Sequence, residues 1–272
     1  MIGEGHGTIW FPVAPTPTIP SESHVAAERR SAIVSDMTSL GQQSHNARRR
    51  FDAIGEALAP HGLILRGGFD FTASDTPPHG LSGAPTKSML LVGQAGAAPW
   101  PHFLRWREQQ PRQIANPLDN WSRQVIGAVA EAFGARSVSP SDRPYLPFQQ
   151  WAMRAEGLKP SPLGILMHPQ YGLWHAYRGA LLFEDEIALP QQGAAIHLCD
   201  ACVDKPCLKS CPVDAYSREG FAYQACLAHV RGANGEPCRS GGCLDRNACP
   251  YGTEYRYPPD IQAFHMASFA GL

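Results

Sequence analysis

All eight cysteines of the chain fall between Cys199 and Cys249, and none precedes them. They run Cys199, Cys202, Cys207 and Cys211, then Cys226, Cys238, Cys243 and Cys249, with proline directly after Cys211 and Cys249. Thiolates hold iron–sulfur clusters, and in a two-cluster module the Cys-Pro cysteine that closes one group serves the other cluster. The spacing therefore predicts two [4Fe–4S] clusters, one on Cys199, Cys202, Cys207 and Cys249 and one on Cys226, Cys238, Cys243 and Cys211. A short loop turns three thiolates onto one face of a cubane, and the proline carries the chain away. The usual bacterial run is CxxCxxCxxxCP. Here the second gap is lengthened to Val203-Asp204-Lys205-Pro206, and the second group is looser still. Two structural zinc sites would also use eight thiolates, but the Cys-Pro endings favour iron. A disulfide framework belongs to oxidising compartments and small secreted chains.

Composition bounds the rest. With 272 residues there is length for one large domain or two smaller ones. A formal net charge of −1 argues against bulk electrostatic binding of nucleic acid, which is not expected as a partner. No apolar run approaches the ~18 residues a membrane span needs, so no membrane is expected either. Without a basic and then apolar leader, and with eight thiols to keep reduced, the expected location is cytoplasmic.

The elements that must position this chemistry follow from periodicity. Residues 1–45, with Pro12, Pro15, Pro17 and Pro20, read as a disordered extension in which 25–40 could form a short helix and Met37 is an alternative start. Phe51, Ile54 and Leu58 share one helical face ahead of Pro60. Residues 62–71 read as a strand interrupted by glycine, and 87–92 as a short buried strand. A helix is predicted over 99–110. The stripe Leu118, Trp121, Val125, Val129, Phe133 marks a helix from Pro117, with Gly134 placed to end it. A strand at 135–138 and a helix at 147–156 precede Leu163–Leu182, read as two strands about a turn at Pro169–Gly172. In the second strand Leu173, His175, Tyr177 and Gly179 are expected on one face, with Trp174, Ala176, Arg178 and Ala180 on the other. Residues 190–195 read as a linker. The fold class is α+β, an α/β sandwich over 46–190 followed by a small dicluster module over 191–272.

The segment MHPQYGLWHAYRG, residues 167–179, resembles the IHPxFGGWFAxRG stretch of the cobalamin-processing (methylmalonic aciduria and homocystinuria type C) family. That resemblance implies a flavin-reductase/nitroreductase-like sandwich that binds cobalamin and reductively removes its upper ligand. Such a sandwich joined to a ferredoxin-like module with two [4Fe–4S] clusters also resembles the epoxyqueuosine reductase and reductive dehalogenase group. Tyr223-Gln224-Ala225-Cys226-Leu227 and Trp151–Ala155 are similar there too. The glycine-rich GLGWIGKN segment of that group is missing, and Glu156-Gly157-Leu158-Lys159-Pro160 stands in its place.

These resemblances imply a corrinoid as the small-molecule partner, a low-potential electron donor, and an iron–sulfur, cobalamin-dependent oxidoreductase. His168, Trp174, His175, Tyr177 and Arg178 become candidate cofactor-binding residues, and Tyr171 a candidate catalytic proton donor. Flavin stays an alternative cofactor, because the implied fold is shared with flavin enzymes. A cobalamin-dependent reductase of another substrate and a ferredoxin-like electron carrier are the competing functions.

Overall fold

The computed structural model describes residues 48–187, 189, 196–217 and 220–272. The expectations for residues 1–45 and for the linker at 190–195 lie outside these, as does the domain boundary within it. The described residues fall within one compact unit.

The N-terminal part is mixed α/β, built on a small antiparallel sheet. In chain order come α1 (residues 48–58), β1 (Ile64–Asp70), β2 (Ser88–Ala95), α2 (Trp100–Glu108), α3 (Pro117–Ala132), β3 (Arg136–Val138), α4 (Phe148–Glu156), β4 (Lys159–Pro160), β5 (Leu166–Met167) and β6 (His175–Phe183). The four-stranded sheet has the order β1-β2-β6-β3. Helices cover both faces, which is why the central strands read as continuous apolar runs rather than alternating ones. On one face Ile54 and Leu58 of α1, Phe103 of α2 and Trp121, Val125 and Val129 of α3 pack on Leu90, Val92, Leu181 and Phe183. On the other, Trp151, Ala152 and Ala155 of α4 pack on Met89, Leu91, Ala180 and Leu182. Each large side chain so buried contributes roughly 1.5–3 kcal/mol. The α3 stripe is core, and Gly134, at φ +66°, follows its end.

Two findings differ from the sequence reading. Residues 163–182 do not form a hairpin. β5 pairs with β4, while both edges of β6 are taken by β2 and β3; only a single bridge, His168 to Gly172, closes the turn. The alternation expected along β6 also breaks, because its register against β2 slips between Tyr177 and Gly179. The bulge turns both Arg178 and Gly179 toward α3, where a Cβ on Gly179 would meet Ile126, and Ala180 joins the face of Tyr177. A second bulge in β1, at Arg66-Gly67 with Gly67 at φ +74°, is the predicted glycine interruption.

The cysteine region continues as α5 (Leu198–Ala201), a hairpin of β7 (Tyr216–Ser217) and β8 (Gly220–Phe221), α6 (Tyr223–Arg231), α7 (Glu236–Gly241), α8 (Leu244–Asn247) and α9 (Pro259–Ala270). α9 packs back on the sandwich through Phe264, which meets Trp100 and Phe103 edge-on. No helix among the described residues is long and apolar enough to cross a membrane.

Candidate functional site

The structure gathers the eight cysteines into two quartets. Cys199, Cys207 and Cys249 are buried together, walled by Leu163, Met167 and Leu173 of the sandwich. Cys202 is close enough to all three for its charge to act on them. Cys211, Cys226, Cys238 and Cys243 line one cavity of about 230 Å³, closed by Tyr216, Phe221, Met266 and Phe269. Burial, and then the like charge of neighbouring thiols, holds Cys199, Cys207, Cys226 and Cys238 above the ordinary range, Cys199 and Cys226 at about 11.

The lengthened gap has a structural reason. Lys205, at φ +43°, doubles the loop back so that its Nζ donates to the carbonyls of Cys199 and Cys202, the latter at 2.8 Å. Asp245, buried between the quartets, accepts the Ser210 N–H at 2.9 Å and so ties the Cys207–Cys211 loop to α8. Backbone donation from Ala215 to the Cys211 sulfur at 3.4 Å supports one thiolate directly.

Among the described residues, no three His, Cys, Asp or Glu side chains converge as a single-ion site. The second quartet lines a mostly apolar cavity, and the first is packed against apolar side chains, surroundings in which thiolates would suit an iron–sulfur cluster.

The turn at Pro169–Gly172 sits directly on the chain that follows Cys249. A Cβ on Gly172 would strike the Tyr251 carbonyl, and one on Gly252 would strike Tyr171, so both glycines are required by close approach. Arg246 spans the same seam. Its Nη2 donates to the Leu173 carbonyl at 2.6 Å, and its guanidinium lies 4.5 Å from the Trp174 ring and 5.0 Å from that of Tyr257.

Behind the turn lies a buried polar cluster. Arg66, 2% exposed, donates from Nε and Nη2 to the two oxygens of Glu156 at 2.9 and 3.0 Å. Tyr177 donates its hydroxyl to the same carboxylate. A cation this deep is costly to bury without a bidentate partner of this kind.

His168 stacks on Tyr171 at 4.1 Å, and its Nδ1 accepts the N–H groups of Gln170 and Tyr171 at 3.0 and 3.1 Å. With Nδ1 an acceptor, the neutral ring carries its proton on Nε2, 3.9 Å from Glu156. Burial and the Arg66 charge lower His168 to about 4, so this tautomer prevails at neutral pH. Nε2 is thereby a donor, and binding a metal there would require a proton on Nδ1 facing two N–H groups. His175 donates Nε2–H to the Leu166 carbonyl at 2.9 Å and is lowered by burial to about 3. Burial raises Tyr171 and Tyr177, so both keep their protons.

Of the candidate cofactor residues, the structure brings together His168, His175 and Tyr177, with Tyr171. It does not bring the others to them. Trp174 is fully buried under Arg246 and Tyr257, and Arg178 faces α3 across the sheet. Sequence reasoning missed Arg66 and Glu156, the pair at the centre. The available signal was an arginine before a glycine pair inside a strand, the mark of a bulge beside a functional side chain.

No protein-family model and no curated protein matches the chain. Solved structures similar to it include epoxyqueuosine reductase crystallised with an epoxyqueuosine-modified tRNA-Tyr stem loop. Identity is 14% and the TM-score 0.41, over 81% of this chain and 70% of that chain. That protein was solved with a tRNA stem loop, which overturns the exclusion of nucleic acid drawn from net charge. Net charge sums a whole surface, whereas phosphate contacts depend on a few local cations.

Proposed function

We propose that the chain is an iron–sulfur oxidoreductase whose two cysteine quartets hold [4Fe–4S] clusters and whose electrons go to a corrinoid substrate at the His168–Tyr171 turn. The observation that carries this is the seating of that turn on the residues after Cys249, so that one quartet shares its apolar wall with the reactive turn. The clusters, when bound, supply electrons one at a time. In this reading the sandwich is of the flavin-reductase/nitroreductase type and the C-terminal part is a ferredoxin-like dicluster module.

This chain's own groups do the rest. The Nε2–H of neutral His168 and the Tyr171 hydroxyl, both hydrogen-bond donors at neutral pH, meet a ligand that leaves as an anion. The Arg66–Glu156 pair fixes Tyr177 and faces His168, and so holds the donors in place. Trp174 and His175 are packed too tightly to touch a corrin face, and support the turn from beneath.

The test is an anaerobic absorbance titration of iron- and sulfide-loaded full-length protein with cyanocobalamin and hydroxocobalamin. A saturable spectral change followed by Co(II) formation on adding reductant is the expected result. No change at concentrations well above the protein would end the corrinoid reading and leave an electron carrier or a flavin enzyme. Turnover only with a further substrate would instead make the corrinoid a resident cofactor.

A further inference from the structure

The two quartets sit beside charges of opposite sign. Asp245, 1% exposed, lines the cavity of Cys211, Cys226, Cys238 and Cys243. The N–H groups of Ser210, at 2.9 Å, and of Cys211 donate to its carboxylate, and among the described residues it forms no ion pair. Burial raises its pKa from the ordinary carboxylate value, while those two donors favour the charged form. Its charge acts on Cys226, Cys238 and Cys243, and on Cys207 of the other quartet.

Around Cys199, Cys202, Cys207 and Cys249 there are cations. The Lys205 ammonium donates to the carbonyls of Cys199 and Cys202, the latter at 2.8 Å, and the Arg256 charge acts on Cys249. Arg239 is the counter-case, since it acts on Cys238, but its Nη1 is engaged by the carbonyls of Val230 and Gly232. Backbone N–H groups reach sulfur in both quartets, at Cys211 and Cys243 in one and at Cys249 in the other. A whole buried charge outweighs a neutral hydrogen bond, so charge distinguishes the quartets more than these donors do. An iron–sulfur cluster gains a negative charge on reduction, so a buried anion beside it lowers its potential and a cation raises it. We propose that Asp245 and Lys205 set the two potentials apart, Asp245 holding the second cluster low and Lys205 holding the first high, so that a single electron given to the pair rests on the first. The inference rests on the proposed function in that the quartets must hold the clusters.

The experiment is an anaerobic redox titration of the iron- and sulfide-loaded full chain with dithionite at about pH 8, where a carboxylate is ionised. Electron paramagnetic resonance follows it, each signal assigned through Cys249→Ser and Cys211→Ser. The first cluster should reduce at the higher potential. Asp245→Asn keeps an oxygen to accept from Ser210 and removes the charge. At a fixed potential the reduced-to-oxidised ratio of the second cluster should then rise about tenfold, a shift of about 59 mV for one electron, and that of the first should rise less. Lys205→Met should lower the ratio for the first cluster, and Lys205→Arg should restore it. The opposite signs separate charge from loosened packing, because water admitted by a disturbed loop would move both variants the same way. Should Asp245→Asn lose its cluster, the order of the potentials in the unsubstituted protein and the fall in Lys205→Met still decide. Equal potentials, an unmoved second cluster in Asp245→Asn, or shifts of one sign in both variants overturn the proposal. A chain that takes up no iron and sulfide ends the cluster reading and this inference with it, and iron analysis tells that failure from the others.

Discussion

The two cysteine quartets share a ligand pattern and differ in what surrounds them. Cys199, Cys202, Cys207 and Cys249 are walled by Leu163, Met167 and Leu173, residues of the sandwich. Cys211, Cys226, Cys238 and Cys243 are walled by their own module, through Tyr216, Phe221, Met266 and Phe269. Phe221 and Tyr223 beside the second quartet are substantially exposed, whereas the first quartet meets the turn that carries His168 and Tyr171. Under the proposed function, the difference gives a direction to test, with entry of electrons at the second quartet and exit through the first. It also means that disturbing the sandwich should reach one quartet before the other.

The sharpest way to break that comparison is to exchange the two Cys-Pro cysteines for serine. Cys211 belongs by sequence to the first group and by structure to the second quartet, and Cys249 the reverse. Cys211→Ser should lose the second cluster and Cys249→Ser the first, each with about half of the bound iron. Iron and sulfide analysis, with electron paramagnetic resonance of the reduced protein, checks which signal survives. If Cys211→Ser abolished the first signal instead, the crossing would be wrong.

Next in size is Glu156→Ala. It leaves the Arg66 guanidinium buried without its carboxylate partner, at a cost of about 3–5 kcal/mol in urea unfolding. Because Arg66 and Glu156 support the turn seated on the first quartet, that cluster should become more labile to chelator and the second should not. Equal lability of both would show that the seam at Gly172 and Gly252 does not transmit the disturbance.

How much of this was legible beforehand depends on how far apart the interacting residues lie. The cysteine grouping could be read, because residue type and local spacing carry it. The α3 stripe and the glycine break in β1 could be read for the same reason. The faces of Gly179 and Ala180 could not, since the bulge depends on how β6 registers against β2, and one slipped residue exchanges the faces of everything after it. Arg66 and Glu156 lie 90 residues apart, and neither carries a local sign of the other. The hairpin expectation failed because two apolar runs about a Pro-Gly turn look alike whether they pair with each other or with other strands.

A pH profile comes third. His168 is held at about 4 in the folded protein, below the ordinary 6.5, by burial and the Arg66 charge. A base with a lowered folded-state value stabilises the fold fully above about pH 6.5. That contribution is lost as pH falls from about 6.5 toward 4, where the unfolded chain takes up a proton the folded chain refuses. For His168 alone the loss is about 3 kcal/mol. His168→Asn offers a side-chain oxygen where Nδ1 accepted the Gln170 and Tyr171 N–H groups, so the turn should persist while this part of the slope vanishes. His175, lowered to about 3, keeps the remainder. An unchanged slope in urea midpoints between pH 4 and 7 would mean that His168 is solvated and free to protonate. Reduction of cyanocobalamin should fall in the same variant through the lost Nε2–H donor.

The smallest effect separates the quartets most cleanly. Lys205 ties its loop to the carbonyls of Cys199 and Cys202, both of the first quartet. Lys205→Met keeps the aliphatic stem and removes the donor, at a cost of about 1–2 kcal/mol in charge-assisted hydrogen bonding. Oxygen-driven bleaching should quicken for the first cluster by about fivefold to thirtyfold, the rate equivalent of that energy if the tie is lost only on opening. The second cluster should bleach at its original rate. Should both quicken together, the two quartets would open as one unit, and the sandwich wall around the first would not be what distinguishes them.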